Sequence, residues 1–362
     1  MALNPAYEYN PYSPTFGAPP AAYIHRDFEE NKILNDFCSP LGTIKSYMIL
    51  GARGVGKTVL MHEMANRFET FPDWVVVRMN PNVDMMAALV KKLSGHKKVM
   101  SLIKSVGINL SFFNIDLKIS DSSIKDEEDA VTEILKALEK DSKRLLIIVD
   151  EATNTDYMRI FASAYQNLIG QRLPVYLLMT GLYENINSLK NEKNLTFLYR
   201  MPRIILPPLK TAAIADNYQD VFQTSNDIAL KMAACTKGYS YAFQLLGKLT
   251  WDKGGNYTKV LDEYKSDLNE MVYGKIWDEM SEKDREFVYA ITLSQHGEVK
   301  ELRKILDWKT NELSPYRDRL LKKGVIDSPG YGLLQTSLPF FKSFVKTHYD
   351  ITISTKDLPE DL

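Results

Sequence analysis

The chain has 362 residues, 45% of them hydrophobic and 25% charged, which is the make-up of a soluble globular protein with a sizeable core and, at roughly 100–200 residues per domain, two or three domains. A net charge of −1 excludes a global basic field for nucleic acid, so any DNA contact has to come from a local patch. Two cysteines without C-x-x-C spacing and five scattered histidines argue against a disulfide framework and a structural zinc site, while the lack of a signal-peptide pattern or of about 18 consecutive apolar residues points away from a membrane and toward a reducing cytoplasm.

In chain order, residues 1–22 carry Pro5, Pro11, Pro14, Pro19 and Pro20 among tyrosines and small residues. That density of proline predicts an extended arm, which Tyr7, Tyr9, Tyr12 and Phe16 can pack down; a disordered tail is the competing reading. His25-Arg26-Asp27 opens a helix through about Phe37, and Tyr47 to Leu50 is a short apolar strand. The next eight residues, Gly51-Ala52-Arg53-Gly54-Val55-Gly56-Lys57-Thr58, fit G-x-x-x-x-G-K-[ST] at every fixed position. Val59, Leu60, Met64 and Phe68 then share a helical face, so the loop has the strand-loop-helix context that a phosphate-binding motif requires.

The loop's glycines let bare backbone N–H groups approach an anion, and the helix after it presents unpaired donors and the positive end of its dipole. Residues Gly51 to Val59 are therefore the candidate nucleotide contacts, with Lys57 reaching the β- and γ-phosphates and Thr58 ligating Mg²⁺. The arm and the helix opening at Arg26 are placed to cover the adenine and ribose.

Trp74 to Arg78 reads as a second strand, and Val83 to about Val106 as mostly helical despite Gly95. Ile108, Leu110 and Phe112, then Ile115, Leu117 and Ile119, alternate around Phe113-Asn114 and predict a β-hairpin that either extends the sheet or probes a partner or DNA. An acidic loop over Asp121 to Asp129 leads into a helix from about Glu127 to Lys140. Arg144 to Glu151 then places five consecutive apolar residues before two carboxylates, the pattern of a central parallel strand whose carboxyl end faces ligand. With a phosphate loop about ninety residues upstream, Asp150 becomes a candidate for the Mg²⁺ shell and Glu151 for polarising the water that attacks the γ-phosphate. Transfer to a bound acceptor is disfavoured, since no acceptor pocket is legible.

The strand Val175 to Met179 ends in Thr180-Gly181, which places the Thr180 hydroxyl to contact the γ-phosphate or the attacking water; a plain strand end is the alternative. Arg200 and Arg203 precede Ile204-Ile205-Leu206. Arg200 is a candidate for stabilising transition-state charge in trans, from a neighbouring subunit, beside the ordinary reading of a surface arginine. Residues from about Lys210 to Tyr273 are helical, with Ile214, Tyr218, Val221, Met232, Phe243, Leu246 and Leu249 at core spacings.

Ser281-x-x-Asp284 starts another helix, followed by helices near Val299 to Ile305 and Thr310 to Lys323 and by a strand, turn and strand through Leu334, a winged helix-turn-helix order. In a duplex-DNA reading the third helix enters the major groove, with Arg317, Arg319, Lys322 and Lys323 on phosphates and Asn311 or Ser314 at base edges. Glu312, Asp318 and the acidic stretch Asp278 to Glu286 nearly cancel that charge, so a protein partner or self-assembly stands beside DNA.

Taken together the chain resembles an AAA+ ATPase of the archaeal, origin-recognition-like type. The match is carried by Asn10-Pro11-Tyr12, Arg26-Asp27, Gly51 to Thr58, Val149-Asp150-Glu151, Thr180-Gly181-Leu182, Gly238-Tyr239-Ser240-Tyr241 with Gln244, and Leu313-Ser314-Pro315-Tyr316-Arg317. The resemblance implies an α/β P-loop NTPase with a parallel five-stranded sheet in the order 5-1-4-3-2, ATP and Mg²⁺ as ligands, a helical lid and a C-terminal winged helix. Boundaries follow at 1–22 for the arm, 23–209 for the ATPase core, 210–275 for the lid, 276–348 for the winged helix and 349–362 for a tail. Where many lids of this type carry a sensor arginine, the chain has Tyr239-Ser240-Tyr241-Ala242. Two functions remain, an ATPase that repositions lid and winged helix on DNA and a nucleotide-gated protein-binding switch with little turnover.

Overall fold

The computed structural model describes residues 3–15, 19–40, 42–106, 126–182 and 197–356. The expected β-hairpin over 108–119 lies outside them. Five strands, β1 (Ser46–Leu50), β2 (Trp74–Met79), β3 (Arg144–Val149), β4 (Val175–Thr180) and β5 (Arg203–Ile205), form one sheet in the order β2-β3-β4-β1-β5. Every pairing is parallel, with Ile49 opposite both Thr180 and Ile204. Read from its other edge this is the order the resemblance implies.

Apolar runs make these strands because both faces of the sheet are covered. Met48, Val75, Ile147 and Leu177 point into a core shared with helices α3 (Met85–Gly95), α4 (Lys97–Val106), α5 (Glu127–Lys140) and α6 (Asp156–Gly170). Their neighbours Tyr47, Trp74, Leu146, Ile148 and Leu178 point the other way, against α1 (Asp27–Cys38) and α2 (Lys57–Glu69). Truncating a residue such as Ile147 to Ala would cost about 2–5 kcal/mol. Caps fix where helices begin: the side chains of Asp84, Asp126 and Thr155 accept from the backbone N–H three residues on, each worth about 1 kcal/mol. The single helix expected from Val83 to Val106 is two, broken at His96, whose backbone is extended.

Past a short α7 (Phe197–Arg200) and β5, the chain is helical: α8 (Thr211–Phe222), α9 (Asn226–Ala234), α10 (Ser240–Asp252), α11 (Leu261–Leu268) and α12 (Gly274–Asp278). Helices α11 and α12 are continuous through a π-helical stretch, Asn269–Tyr273. Then come α13 (Glu282–Leu293), α14 (Val299–Leu306), α15 (Thr310–Lys323), an antiparallel ribbon of β6 (Ile326–Asp327) and β7 (Gln335–Thr336), and α16 (Phe341–Lys356). The helix-helix-helix-ribbon order is the expected one, with the second ribbon strand two residues later than its apolar pair suggested. The helices from α8 onward share one core, which Tyr12 and Ala22 of the N-terminal segment also enter. Among the described residues no helix is long and apolar enough to cross a membrane.

Candidate nucleotide-binding site

The loop between β1 and α2 turns through Gly51, Gly54 and Gly56 at φ values of 152°, 74° and 97°. Gly54 needs both its positive φ and its missing side chain, because a Cβ there would run into the Tyr239 hydroxyl. The loop's carbonyls are taken. Lys57 Nζ donates to the carbonyls of Gly51 at 3.0 Å and Ala52 at 2.9 Å. The Tyr239 hydroxyl donates to that of Arg53 at 2.6 Å and the Tyr241 N–H to that of Gly54 at 3.0 Å. The Val55 carbonyl receives Arg26 Nη2 and the Ser240 hydroxyl, both at 2.9 Å. With its carbonyls turned to protein, the loop leaves N–H groups on its concave side and at the first turn of α2, the donor set that phosphate requires.

Carboxylates converge on the same place from β3. Thr58 Oγ1 donates to Asp150 Oδ1 at 3.2 Å. Thr180, fully buried at the end of β4, also donates to Asp150 Oδ1 and accepts the Glu151 N–H at 3.0 Å. Glu151 itself has a left-handed backbone at φ 52°, a strained state for a side-chain-bearing residue that is held here by two bonds to its N–H. It is exposed and lines the cavity. Burial, with Arg53 close by, pushes the Lys57 ammonium down to about 8. These residues fit a Mg²⁺ nucleotide: among the described residues no group of three or more His, Cys, Asp or Glu forms a metal cage, and Mg²⁺ is usually held by one or two protein oxygens together with phosphates.

The cavity encloses about 1030 Å³, counting space open to solvent. Its far wall is the arm, with Pro14, Pro20, Tyr23 and Ile24, and Phe243 of α10. Gln244 holds that wall in place, accepting the Ser13 N–H at 3.0 Å and donating to the Ala22 carbonyl at 2.9 Å. An apolar wall opposite a loop of donors suits a molecule with a flat base at one end and phosphates at the other.

A family model described as a domain of unknown function (DUF8462) matches residues 270–345. No curated protein matches the chain. Among solved structures, the Walker-type ATPase of Pyrococcus abyssi superposes with a TM-score of 0.62 at 13% identity, over 90% of this chain and 96% of that one. The ORC2 protein of Aeropyrum pernix in its ADPNP–ADP complexes gives 0.59 at 14% identity, over 94% and 98%. The chain shares the fold of these two proteins, with its parallel sheet in the order β2-β3-β4-β1-β5. At these identities the likeness speaks for the fold alone.

On this frame the partners of the expected site residues can be read directly. Arg26 is 7% exposed, and its guanidinium is spent on the carbonyls of Pro207 and Val55 and on the Ser240 hydroxyl; it borders the cavity and braces the loop. The Thr180 hydroxyl is consumed by Asp150 and Glu151, so it orients the two carboxylate residues from behind. Arg200 is exposed at the end of α7 and does not line the cavity of its own chain. Among the four basic residues of α15 expected on duplex DNA, Arg319 is turned inward onto Asp284 at 2.6 Å, Lys323 donates to the Glu279 carbonyl at 3.3 Å, and Arg317 bonds its neighbour Asp318 at 2.9 Å. The sequence reading missed Tyr239 and Tyr241 as loop contacts. The hydroxyls of Tyr239 and Ser240 stand where an arginine is common, but nothing in the sequence tells which carbonyls they meet, and Tyr241 acts through its backbone N–H.

Proposed function

We propose that the chain binds ATP with Mg²⁺ and hydrolyses it, and that a lid over 210–275 and a winged-helix unit over 276–348 respond to the nucleotide's state. The observation that carries this reading is that Lys57, Thr58 and Glu151 line one cavity together with Pro14, Pro20, Ile24 and Phe243, with Asp150 bonded to Thr58. Thr58 and Asp150 are the residues to hold Mg²⁺, which when bound supplies charge neutralisation at the phosphate oxygens. Lys57 exchanges its two loop carbonyls for phosphate oxygens. Glu151, fixed through its backbone with its carboxylate on the cavity, takes a proton from water as the water oxygen attacks the γ-phosphorus; the bond to the β-phosphate oxygen breaks and its electron pair leaves with ADP.

Mg²⁺-dependent phosphate release by the purified chain tests this reading. Glu151→Gln is expected to lower turnover by about 10²–10⁴-fold with nucleotide still bound, and Lys57→Ala to lose nucleotide. Wild-type protein that binds ATP yet releases no phosphate would overturn the hydrolytic part.

A second reading, a nucleotide-gated switch for a protein partner, is favoured by the surface of α15. Its charges that reach solvent, Glu312, Asp318, Lys322 and the partly exposed Arg317 paired with Asp318, leave no net positive charge, a poor match to a phosphate backbone. Turnover that rises with duplex DNA would reject this reading; turnover indifferent to DNA at low salt would select it.

A further inference from the structure

Arg53 occupies a variable position of the phosphate loop, yet its side chain is the one charged group that reaches both sides of it. It lines the nucleotide cavity together with Gly54, Lys57 and Glu151. It also lines a second, smaller cavity between the loop and the C-terminal helices, bounded by Ile276, Glu279, Lys323 and Val325. Its Nη2 pairs with Glu279 at 3.0 Å, across side chains 20% and 38% exposed. Its Nε is buried and has no partner among the described residues. A guanidinium offers five donors in a planar fork, and here one edge of that fork is satisfied by a half-exposed carboxylate while the buried Nε goes unused.

Charge at the phosphate end of the cavity makes the pairing unstable toward a triphosphate. Glu151 lines the cavity beside Lys57 and Arg53, Asp150 is bonded to Thr58, and Glu279 is paired with Arg53, so three carboxylates already stand near these two cations. A terminal phosphate adds more negative charge beside Lys57, which one ammonium cannot balance. Arginine prefers bidentate phosphate to a solvated carboxylate, because phosphate presents paired oxygens in a site from which water is excluded, whereas an ion pair as exposed as Arg53–Glu279 is weak.

Resting on the ATP-binding reading above, we propose that Arg53 is a specificity-determining residue for the triphosphate. It leaves Glu279 for the terminal phosphate of ATP and returns to Glu279 when only ADP is bound. Glu279 lies in the turn between α12 and α13, within the segment 270–345 that the family model matches. Loss of its partner leaves the C-terminal helices held to the loop by the packing of Gly324 against Ala52 and by the bonds of the preceding segment, Tyr239 to Tyr241. The exchange therefore discriminates the two nucleotides and loosens one specific contact to the C-terminal unit.

Calorimetric titration of the full chain with ADP and with the non-hydrolysable imido analogue of ATP tests this, with a double-mutant cycle of Arg53→Ala and Glu279→Gln. Arg53→Ala is expected to weaken the analogue about tenfold, the loss of one charge-assisted phosphate contact, and ADP by less than about twofold. Glu279→Gln removes the competitor, so it is expected to tighten the analogue by about threefold, and to do so only when Arg53 is present. Equal losses for both nucleotides in Arg53→Ala, or a Glu279→Gln effect that persists in the Arg53→Ala background, would overturn the exchange while leaving ATP binding intact. Wild-type protein that binds neither nucleotide would sink the ATP reading itself, and the exchange with it. Thermal unfolding without nucleotide shows whether each variant is folded, and Arg53→Lys, which keeps the charge but not the fork, is expected to fall between wild type and Arg53→Ala.

Discussion

Substituting Gly247 by Ala puts a number on how tightly the arm is held. Gly247 lies inside α10, and a Cβ on it would stand 2.5 Å from Cδ1 of Tyr12 and 2.6 Å from two other ring carbons. Tyr12 cannot step aside easily. Its ring stacks on Phe222 at 5.7 Å and meets Phe243 edge-on at 5.6 Å, while its hydroxyl donates to Asn217 at 2.8 Å. Overpacking of this kind costs about 1–3 kcal/mol, against which the better helix propensity of Ala returns about 1 kcal/mol. The net loss of about 1 kcal/mol would lower the melting temperature by about 1–2 °C. In a Tyr12→Ala background, itself costing about 3–5 kcal/mol, the obstacle is gone, and Gly247→Ala is expected to stabilise by about 1 kcal/mol. The measurement is thermal unfolding of the four proteins, and the expected signature is a change of sign. A Gly247→Ala variant that stabilises the wild type, or that costs as much without Tyr12 as with it, would refute the argument. Because Ser13 to Thr15 follow Tyr12 directly and line the cavity, the same variant is expected to weaken nucleotide binding.

Other consequences are open to direct test. Lys57 titrates at about 8 in the folded chain, below its ordinary value near 10.4, so the folded state binds fewer protons than the unfolded one across that interval and stability rises with pH there. Phosphate favours the charged ammonium, so nucleotide binding near pH 9 is expected to take up close to one proton, seen as a binding enthalpy that depends on the buffer and is lost in Lys57→Ala. Asp284 is 1% exposed, receives Arg319 and caps α13 through Ser281; Asp284→Ala is expected to cost about 3 kcal/mol and Arg319→Ala somewhat less, because Arg319 is partly in water. Tyr239→Phe removes the bond to the Arg53 carbonyl, and a loss of about 1 kcal/mol in thermal unfolding is the expected result.

How much of this was legible in the sequence depended on how local the cause was. The phosphate loop and the strand ending in Asp150-Glu151 are short motifs whose chemistry is carried by neighbouring residues, and the structure brings them to one cavity. Helix α15 was legible to the residue, and its end carries ordinary stop signals, Lys322 and Lys323 in the last turn and Gly324 in the left-handed conformation. The expected uses of Arg26 and Thr180 and the inward turn of Arg319 depend on partners far along the chain: Ser240 for Arg26, Asp150 for Thr180, Asp284 for Arg319. A basic residue on a predicted recognition helix looks available until its acid is located in space. The arm was legible as extended from its prolines, but that Tyr12 would be its anchor follows only from the gap left by Gly247.

The carbonyls of residues 53–55 are held by Tyr239, Tyr241, Arg26 and Ser240 before any nucleotide arrives. A peptide plane whose oxygen is held outward has its N–H held inward, so the loop has little conformational search left to make. Capture of a nucleotide is then a single encounter whose rate follows concentration in a straight line, with slow steps reserved for departure and for the helices beyond.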